Sequence, residues 1–394
     1  MKDVLIISNY WHFYNEKTSS RYLTVANILQ EKFGNVEVVT SSFYHTKKKQ
    51  RNAEEIIADK YEYRLIKEMG YKKNISLNRI ISHKFFADNV YKYLLNRKKP
   101  DIIYCFVPSL SLGKVVAKFA KENDINFVID ILDLWPEAFS MVLKVPFLFY
   151  PLEKIANHIY SSADKIVAVS DTYLKRALLT SNVKKNSLSV YIGTDLDYFD
   201  KFSKNENHLK KEKNEIWVAY IGMLGHSYDI NCVTKALRDL KNKGYSKVKF
   251  LIMGDGPLKD KFSEYAKNQK INYKFTGRLE YEKMVGYLCQ CDIAVNPISK
   301  GAAQSIINKV GDYAAAGLPV INTQECEEYR DLIDRYKCGF NCKNSSHEDL
   351  SSKLEILIND KNLRKIFGKN SRRLAEEKFD RKKTYKKIVE LMDE

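Results

Sequence analysis

No apolar run in this 394-residue chain approaches the ~18 residues that a membrane-spanning helix needs. The longest, such as IIYCFVPSLSLG, break off well short of it. The opening MKDVLIISNYWH holds one short apolar run and no small-residue cleavage site, so no secretory leader is expected. The seven cysteines are an odd number, and most lie inside apolar runs (Cys105 in IIYCFV, Cys291 in CDIAV). That placement suits reduced, buried thiols in the cytoplasm rather than a disulfide framework. Cys289-Gln-Cys291 and Cys338-Gly-Phe-Asn-Cys342 lack the CxxC spacing and the paired histidines of a zinc site, so no metal is expected. Acid is in deficit: 49 Asp and Glu face 66 Lys and Arg, a formal net charge of +17. This balance admits nucleic acid, an anionic membrane surface or a phosphorylated substrate as partner. With 44% hydrophobic and 29% charged residues the chain is globular rather than disordered.

What is present is a repeated rhythm. Short β-branched runs fall at 4–8, 36–40, 101–107, 126–131, 165–170 and 188–193, and again at 216–224, 248–254, 273–277, 292–298 and 319–322. Amphipathic stretches of helical period lie between them, such as SRYLTVANILQEKFG and INCVTKALRDLKNKG. Continuous apolar strands alternating with helices predict βαβ units and parallel sheets covered on both faces. The chain is long enough for two such domains. The polar stretch KFSKNENHLKKEKNE at 201–215 reads as their linker, leaving domains at 1–200 and 216–375 and a C-terminal helix at 376–394. Two doubly wound domains facing one another place a cleft at the carboxyl ends of both sheets. Residues 41–100 interrupt the rhythm, with 15 Lys and Arg against 6 Asp and Glu. The plain reading is a solvated face; the sharper one is a unit that meets an anionic substrate or lipid headgroups.

The segment QSIINKVGDYAAAGLPVIN, from Gln304 onward, carries the most chemistry. Asp312-Tyr-Ala-Ala-Ala reads as a short helix closed by Gly317, with Ser305 and Asn308 as candidate N-caps. Lys309 at its start is electrostatically misplaced unless an anion binds there. Asp312, one turn on, is suited to vicinal hydroxyls, and the bland alternative is a surface ion pair between the two. Gly222-Met-Leu-Gly225 follows the first strand of the second domain, where glycines let backbone approach a pyrophosphate. Met253-Gly-Asp-Gly256-Pro reads as a tight turn, and Asp195-Leu-Asp197 as a chance DxD.

The string Asn308-Lys309…Asp312-Tyr…Ala-Ala-Gly317-Leu-Pro-Val-Ile resembles the donor-binding segment of the family-4 retaining glycosyltransferases of the GT-B fold. Ile129-Asp-Ile-Leu-Asp133-Leu-Trp-Pro-Glu137, Val167-Ala-Val-Ser170, Ile192-Gly-Thr-Asp195, Tyr220-Ile-Gly222, Phe275-Thr-Gly277 and Phe379-Asp-Arg381 agree in order along nearly the whole chain. The Asp-Leu-Trp-Pro-Glu string and Gly70-Tyr-Lys-Lys-Asn-Ile-Ser76 resemble the subgroup that builds bacterial capsules, O-antigens and exopolysaccharides. Two departures stand out. Where the family's fuller pattern has two glutamates eight residues apart, this chain has Gln304 and Asp312, and the Arg and Lys expected after Gly222 are missing, Met223 following and then Leu-Gly-His226-Ser-Tyr-Asp229.

The resemblance implies a GT-B fold and metal-independent, retaining transfer from a nucleotide-diphosphate sugar, UDP-sugar foremost, with no cofactor. It places the donor at Gly222, Met223, Gly225, Gly254, Gly277, Arg278, Gln304, Ser305, Asn308, Lys309 and Asp312. It places a lipid-linked saccharide acceptor, on a polyprenyl diphosphate, at Ser19, Ser20, Arg21, Tyr71, Lys72, Lys73, Asn74 and Ser170. Asp133 is expected to contact the transferred sugar or the acceptor, and Asp133, Lys309 and Asp312 form the catalytic set. A peripheral position on the inner membrane face follows from the basic 41–100 unit. Two other readings stand beside this one. A nucleotide-sugar 2-epimerase shares the fold and is separated by product analysis; a nucleic-acid-binding protein has only the basic charge in its favour, without interleaved aromatics.

Overall fold

The computed structural model describes residues 2–17, 20–57, 60–140, 149–181, 183, 186–204, 209–302 and 305–393. It divides into two units, Met1–Tyr191 with Lys383–Glu394, and Ile192–Lys382.

The first unit is built on a seven-stranded sheet. Its strands are β1 (Asp3–Ser8), β2 (Asn35–Ser41), β5 (Glu62–Ile66), β6 (Ile102–Val107), β7 (Asn126–Ile131), β8 (Lys165–Ala168) and β9 (Ser187–Ser189), with a small hairpin β3 (Phe43–Tyr44) and β4 (Lys49–Gln50) after β2. All seven pair in parallel in the order β5-β2-β1-β6-β7-β8-β9, the strand reversal of a doubly wound fold lying between β1 and β6. β1, β6 and β7 are buried almost throughout, as strands covered on both faces must be. Helix α1 (Arg21–Phe33) begins where Ser20 accepts a hydrogen bond from the Leu23 amide at 3.3 Å, a cap worth about 1 kcal/mol. Helices α2 (Leu77–Asn96) and α3 (Leu110–Glu122) follow β5 and β6.

The second unit repeats the scheme with six parallel strands: β10 (Ile216–Ile221), β11 (Val248–Met253), β12 (Asn272–Gly277), β13 (Ile293–Asn296), β14 (Val320–Asn322) and β15 (Gly339–Asn341). Their order is β12-β11-β10-β13-β14-β15, with the reversal between β10 and β13. The α/β expectation and its doubly wound halves hold.

The division of the chain differs from the expectation of a linker at 201–215 and a separate helix at 376–394. Residues 209–215 are held to the second unit: the Leu209 amide donates to Gln290, and Lys211 Nζ donates to Asp292 at 2.6 Å. The same Asp292 oxygen accepts from the Trp217 amide, so this charged stretch is pinned rather than free. At the other end the chain returns to the first unit, where Tyr385, Ile388, Leu391 and Met392 join the core containing Val4, Leu29 and Val167. Lys165 Nζ fixes the return by donating to the Leu391 carbonyl at 2.7 Å. No described helix is long and apolar enough to cross a membrane.

Candidate functional site

The carboxyl end of the second sheet is made of backbone. After β10 the chain turns at Gly222, whose φ of 128° is a region that side chains disfavour. A Cβ there would stand 2.8 Å from Lys309 Nζ. The loop after β11 locks against it: the Gly222 amide donates to the Met253 carbonyl at 3.0 Å and the Leu224 amide to the Asp255 carbonyl at 2.9 Å. A Cβ on Gly254 would fall 1.8 Å from the Gly222 carbonyl oxygen, so only glycine lets the two loops meet. Gly277 stands opposite Gly254 in an isolated bridge. Gly225 has only ordinary contact with Met223 and no such constraint. Met223 and Arg278 are exposed.

Lys309 opens the short helix Lys309–Ala315 and is buried. Its Nζ lies 4.0 and 3.9 Å from the ring centroids of Tyr220 and Tyr228, and has no hydrogen-bond partner among the described residues. Burial pulls its pKa well below the ordinary lysine value. Cation–π contact offsets about 2 kcal/mol, less than the several kcal/mol an unpaired buried ammonium costs.

Asp312 lies on the same helix but faces other groups. Its Oδ1 accepts from the Thr194 hydroxyl at 3.0 Å and the Tyr281 hydroxyl at 2.9 Å. Lys309 forms no ion pair among the described residues, so the surface pair with Asp312 is not made. Asn308 precedes the helix in helical geometry without a side-chain cap, contrary to the capping expectation. The Ser305 carbonyl accepts from Gln324 Nε2 at 2.7 Å. Gln304 lies outside the described residues. Asp195 caps the helix Leu196–Ser203, and Asp197 pairs with Lys382 at 2.6 Å, which accounts for that DxD.

The carboxyl end of the first sheet is made of side chains instead. Asp133, beyond β7, accepts from Trp135 Nε1 and from the Tyr173 hydroxyl, each at 3.3 Å, and burial raises its pKa. Ser170 is fully buried and caps the helix Asp171–Leu178 by accepting from the Tyr173 amide at 3.1 Å. Tyr71 is buried, its hydroxyl 2.6 Å from His45 Nδ1. Asn74 accepts from Lys48 Nζ at 2.6 Å through its side chain, and its carbonyl accepts from Arg79 at 2.8 Å. Lys72 and Lys73 are exposed.

Arg21 corrects an expectation. It forms two bonds to Asp130, at 2.8 and 3.0 Å, and donates a third to the Val190 carbonyl. Both charged groups are buried, and Tyr104 donates to the same carboxylate at 2.7 Å. Arg21 is a core ion pair rather than an acceptor contact, and Ser20 is its helix cap. Ser19 lies outside the described residues.

Several groups at this end escaped the motif reading. Arg79 donates to the Tyr10 hydroxyl at 2.8 Å and lies 4.7 Å from the Trp135 ring. The Tyr10 hydroxyl also meets His83 Nε2 at 3.0 Å, and the His83 ring stacks on Trp135. Burial, with Lys48 and Arg79 adding to it, lowers the pKa of His45 to about 4; burial, with Arg79 and His45, lowers that of His83 to about 3. His12 falls to about 3 through burial, with Lys17 and Arg51 adding to it. At neutral pH these imidazoles are uncharged hydrogen-bonding groups.

Comparison with known proteins finds a family match over the residues that carry the glycine loops. Residues 201–374 match the family model described as glycosyl transferases group 1. The match covers less than half of the chain and lies within the second unit. An uncharacterized glycosyltransferase of Methanocaldococcus jannaschii is 27% identical over 60% of this chain and 60% of its own length. The capsular polysaccharide biosynthesis glycosyltransferase CapM of Staphylococcus aureus is 24% identical over 73% of this chain and 74% of its own. The chain thus aligns with about three fifths of the archaeal relative. Among solved structures, Anabaena HepE in complex with UDP superimposes with a TM-score of 0.73 and full coverage of both chains at 16% identity. That likeness shows the GT-B fold.

Proposed function

We propose that the protein is a retaining glycosyltransferase that moves a sugar from a nucleoside-diphosphate donor, a UDP-sugar foremost, to a lipid-linked saccharide in bacterial surface-polysaccharide synthesis. The observation that carries this reading is Lys309: a buried amine with no hydrogen-bond partner among the described residues, beside glycine loops packed backbone to backbone. The leaving diphosphate gathers negative charge as the glycosidic bond breaks, and Lys309 is the group that stabilises it. In this reading the cation replaces a metal, the acceptor hydroxyl attacks from the face the diphosphate leaves, and a donor phosphate oxygen takes its proton. Asp133 and the groups around it hold the acceptor, and the protein works on the cytoplasmic face of the membrane, without nucleic acid.

The test is a thermal-shift screen with UDP, GDP, ADP, dTDP and NAD in the absence of metal. A ligand at ~100 times its dissociation constant raises stability by about 2.7 kcal/mol. Selective stabilisation by one nucleoside diphosphate supports the reading, and the anomeric configuration of the product then tests retention. No shift with any of them refutes it.

A further inference from the structure

Two tyrosine rings flank the Lys309 amine. Its Nζ lies 4.0 Å from the Tyr220 centroid and 3.9 Å from that of Tyr228. The rings meet edge to face, their centroids 5.7 Å apart at 70°, and the amine sits in the angle between them. Each ring is fixed by bonds that do not involve the lysine. The Tyr220 hydroxyl donates to the Met223 carbonyl at 2.6 Å, across the Gly222 turn. Tyr228 is anchored through its backbone: its amide donates to the Gly225 carbonyl at 3.1 Å, and it forms an isolated bridge with Ile298. Ile298 is pinned in turn, its amide donating to the Thr323 hydroxyl at 3.0 Å and its carbonyl accepting from Asn344 at 2.8 Å. From the lysine's own helix, the Tyr313 hydroxyl accepts from the Ile221 amide at 3.0 Å and ties that helix to β10. The cage is built by the chain itself.

The charged and titratable groups of the surrounding elements are engaged elsewhere. Asp312 Oδ1 accepts from the Thr194 and Tyr281 hydroxyls. Asp229 caps the helix Ile230–Asn242 through the Cys232 amide, and Asp255 accepts from the Gly256 amide and pairs with Lys259. His226, on the loop after β10, is exposed. Burial raises the pKa of Tyr220, Tyr228 and Tyr313, so their hydroxyls stay protonated at neutral pH. A carboxylate beside Lys309 would cancel the charge of its ammonium and compete with an incoming anion. An aromatic face attracts an ammonium without carrying net charge, so the charge stays available.

We propose that Tyr228, with Tyr220, is a positioning residue for the donor diphosphate, its ring holding the Lys309 ammonium beside the Gly222 turn in place of a carboxylate. The inference rests on the glycosyl-transfer reading and deepens it: two aromatic residues aim the cation that meets the donor and keep it charged.

The experiment weakens the ring face while keeping its shape. Tyr228→Phe is followed by progressively fluorinated phenylalanines at position 228, each a poorer partner for a cation. UDP is titrated into each full-length chain by calorimetry across the neutral and alkaline range. Each added fluorine should lower UDP affinity further. It should also move the pH at which affinity fades downward, because a weaker face stabilises the ammonium less. Tyr228→Leu should lose about tenfold in affinity at neutral pH, and Tyr228→Phe should restore most of it. A ring that only packs would change the urea midpoint and leave that pH in place. Affinity that stays flat along the fluorine series would overturn the proposal, as would a pH dependence that disappears in His226→Gln. The Lys309 titration is read in the ligand-free protein as well, by NMR of isotope-labelled lysine, its signal assigned by its loss in Lys309→Met. A Lys309 pKa that falls along the series supports the cage, and one that does not move overturns it, whether or not UDP binds. Failure of the wild type to bind UDP would instead count against the glycosyl-transfer reading.

Discussion

The two units share one strand order and differ at the ends of their sheets where ligands bind in such folds. In the second unit the loops after β10 and β11 are glycines packed backbone to backbone, and Lys309 beside them has no hydrogen-bond partner among the described residues. In the first unit the corresponding end carries Tyr10, His45, Arg79, His83, Asp133 and Trp135, joined by side-chain contacts. The buried cations make the contrast sharp. Arg21 has its carboxylate built in, whereas Lys309 has none among the described residues. A backbone cradle suits a diphosphate, which is the same in every donor; a side-chain cluster suits an acceptor whose shape must be told apart from others. The scaffold repeats, and the recognition chemistry does not.

The largest effect expected from breaking this contrast is on stability. Removing one partner of a buried ion pair costs about 3–5 kcal/mol, so Arg21→Met should unfold at markedly lower urea, with Asp130 left uncompensated. The matching change in the second unit, Lys309→Met, removes an amine that has no partner, and should leave stability equal or higher. Its loss appears in binding: UDP affinity should fall about 100-fold, the ~3 kcal/mol typical of a desolvated charge pair. Urea midpoints and calorimetry on the two variants check both halves.

Acid should separate the units next. His12, His45 and His83 have folded pKa values of about 3, 4 and 3 against 6.5 in the unfolded chain. Below pH 6.5 the unfolded state binds more protons at these positions, so the stability of the first unit declines as pH falls from 6.5 toward 3. Hydrogen exchange followed by peptide should show first-unit peptides losing protection at higher pH than those of the second. Replacing His83 with Gln should flatten that decline; an unchanged profile would assign it to other groups.

The smallest effect is expected at one glycine, and a neighbouring one gives the contrast. Gly225→Ala meets only Met223 at van der Waals distance and should shift stability by under ~1 kcal/mol. Gly254→Ala would push a methyl into the Gly222 carbonyl and should cost about 3 kcal/mol or more. Equal costs at the two positions would mean that the loops are not locked together.

How much of this was legible in the sequence follows from what is local. The buried strands of both sheets announce themselves as continuous apolar runs. β5, EYRLI, does not read as a strand because it is an edge strand whose apolar run is broken by Glu62 and Arg64, and β15 because it is three residues long. The unit boundary was misplaced because a charged stretch looks like a linker whether or not Asp292 holds it. Lys309 and Gly222 each sit in a motif whose meaning lies within a few residues, so the sequence alone singles them out as candidates. The first-unit cluster draws on loops from Tyr10 to Trp135, and no spacing links them before the sheet brings them together.

The most direct test of the account is the proton balance of donor binding. Burial holds the Lys309 pKa well below its ordinary value, and an anion placed beside it must raise that pKa. UDP binding measured by calorimetry between pH 7 and 10, in buffers of different ionisation enthalpy, should therefore take up a proton. Affinity should weaken as pH rises, and both signatures should be absent in Lys309→Met. Tight, pH-independent binding that survives Lys309→Met would contradict the central claim that this amine is the partner of the donor diphosphate.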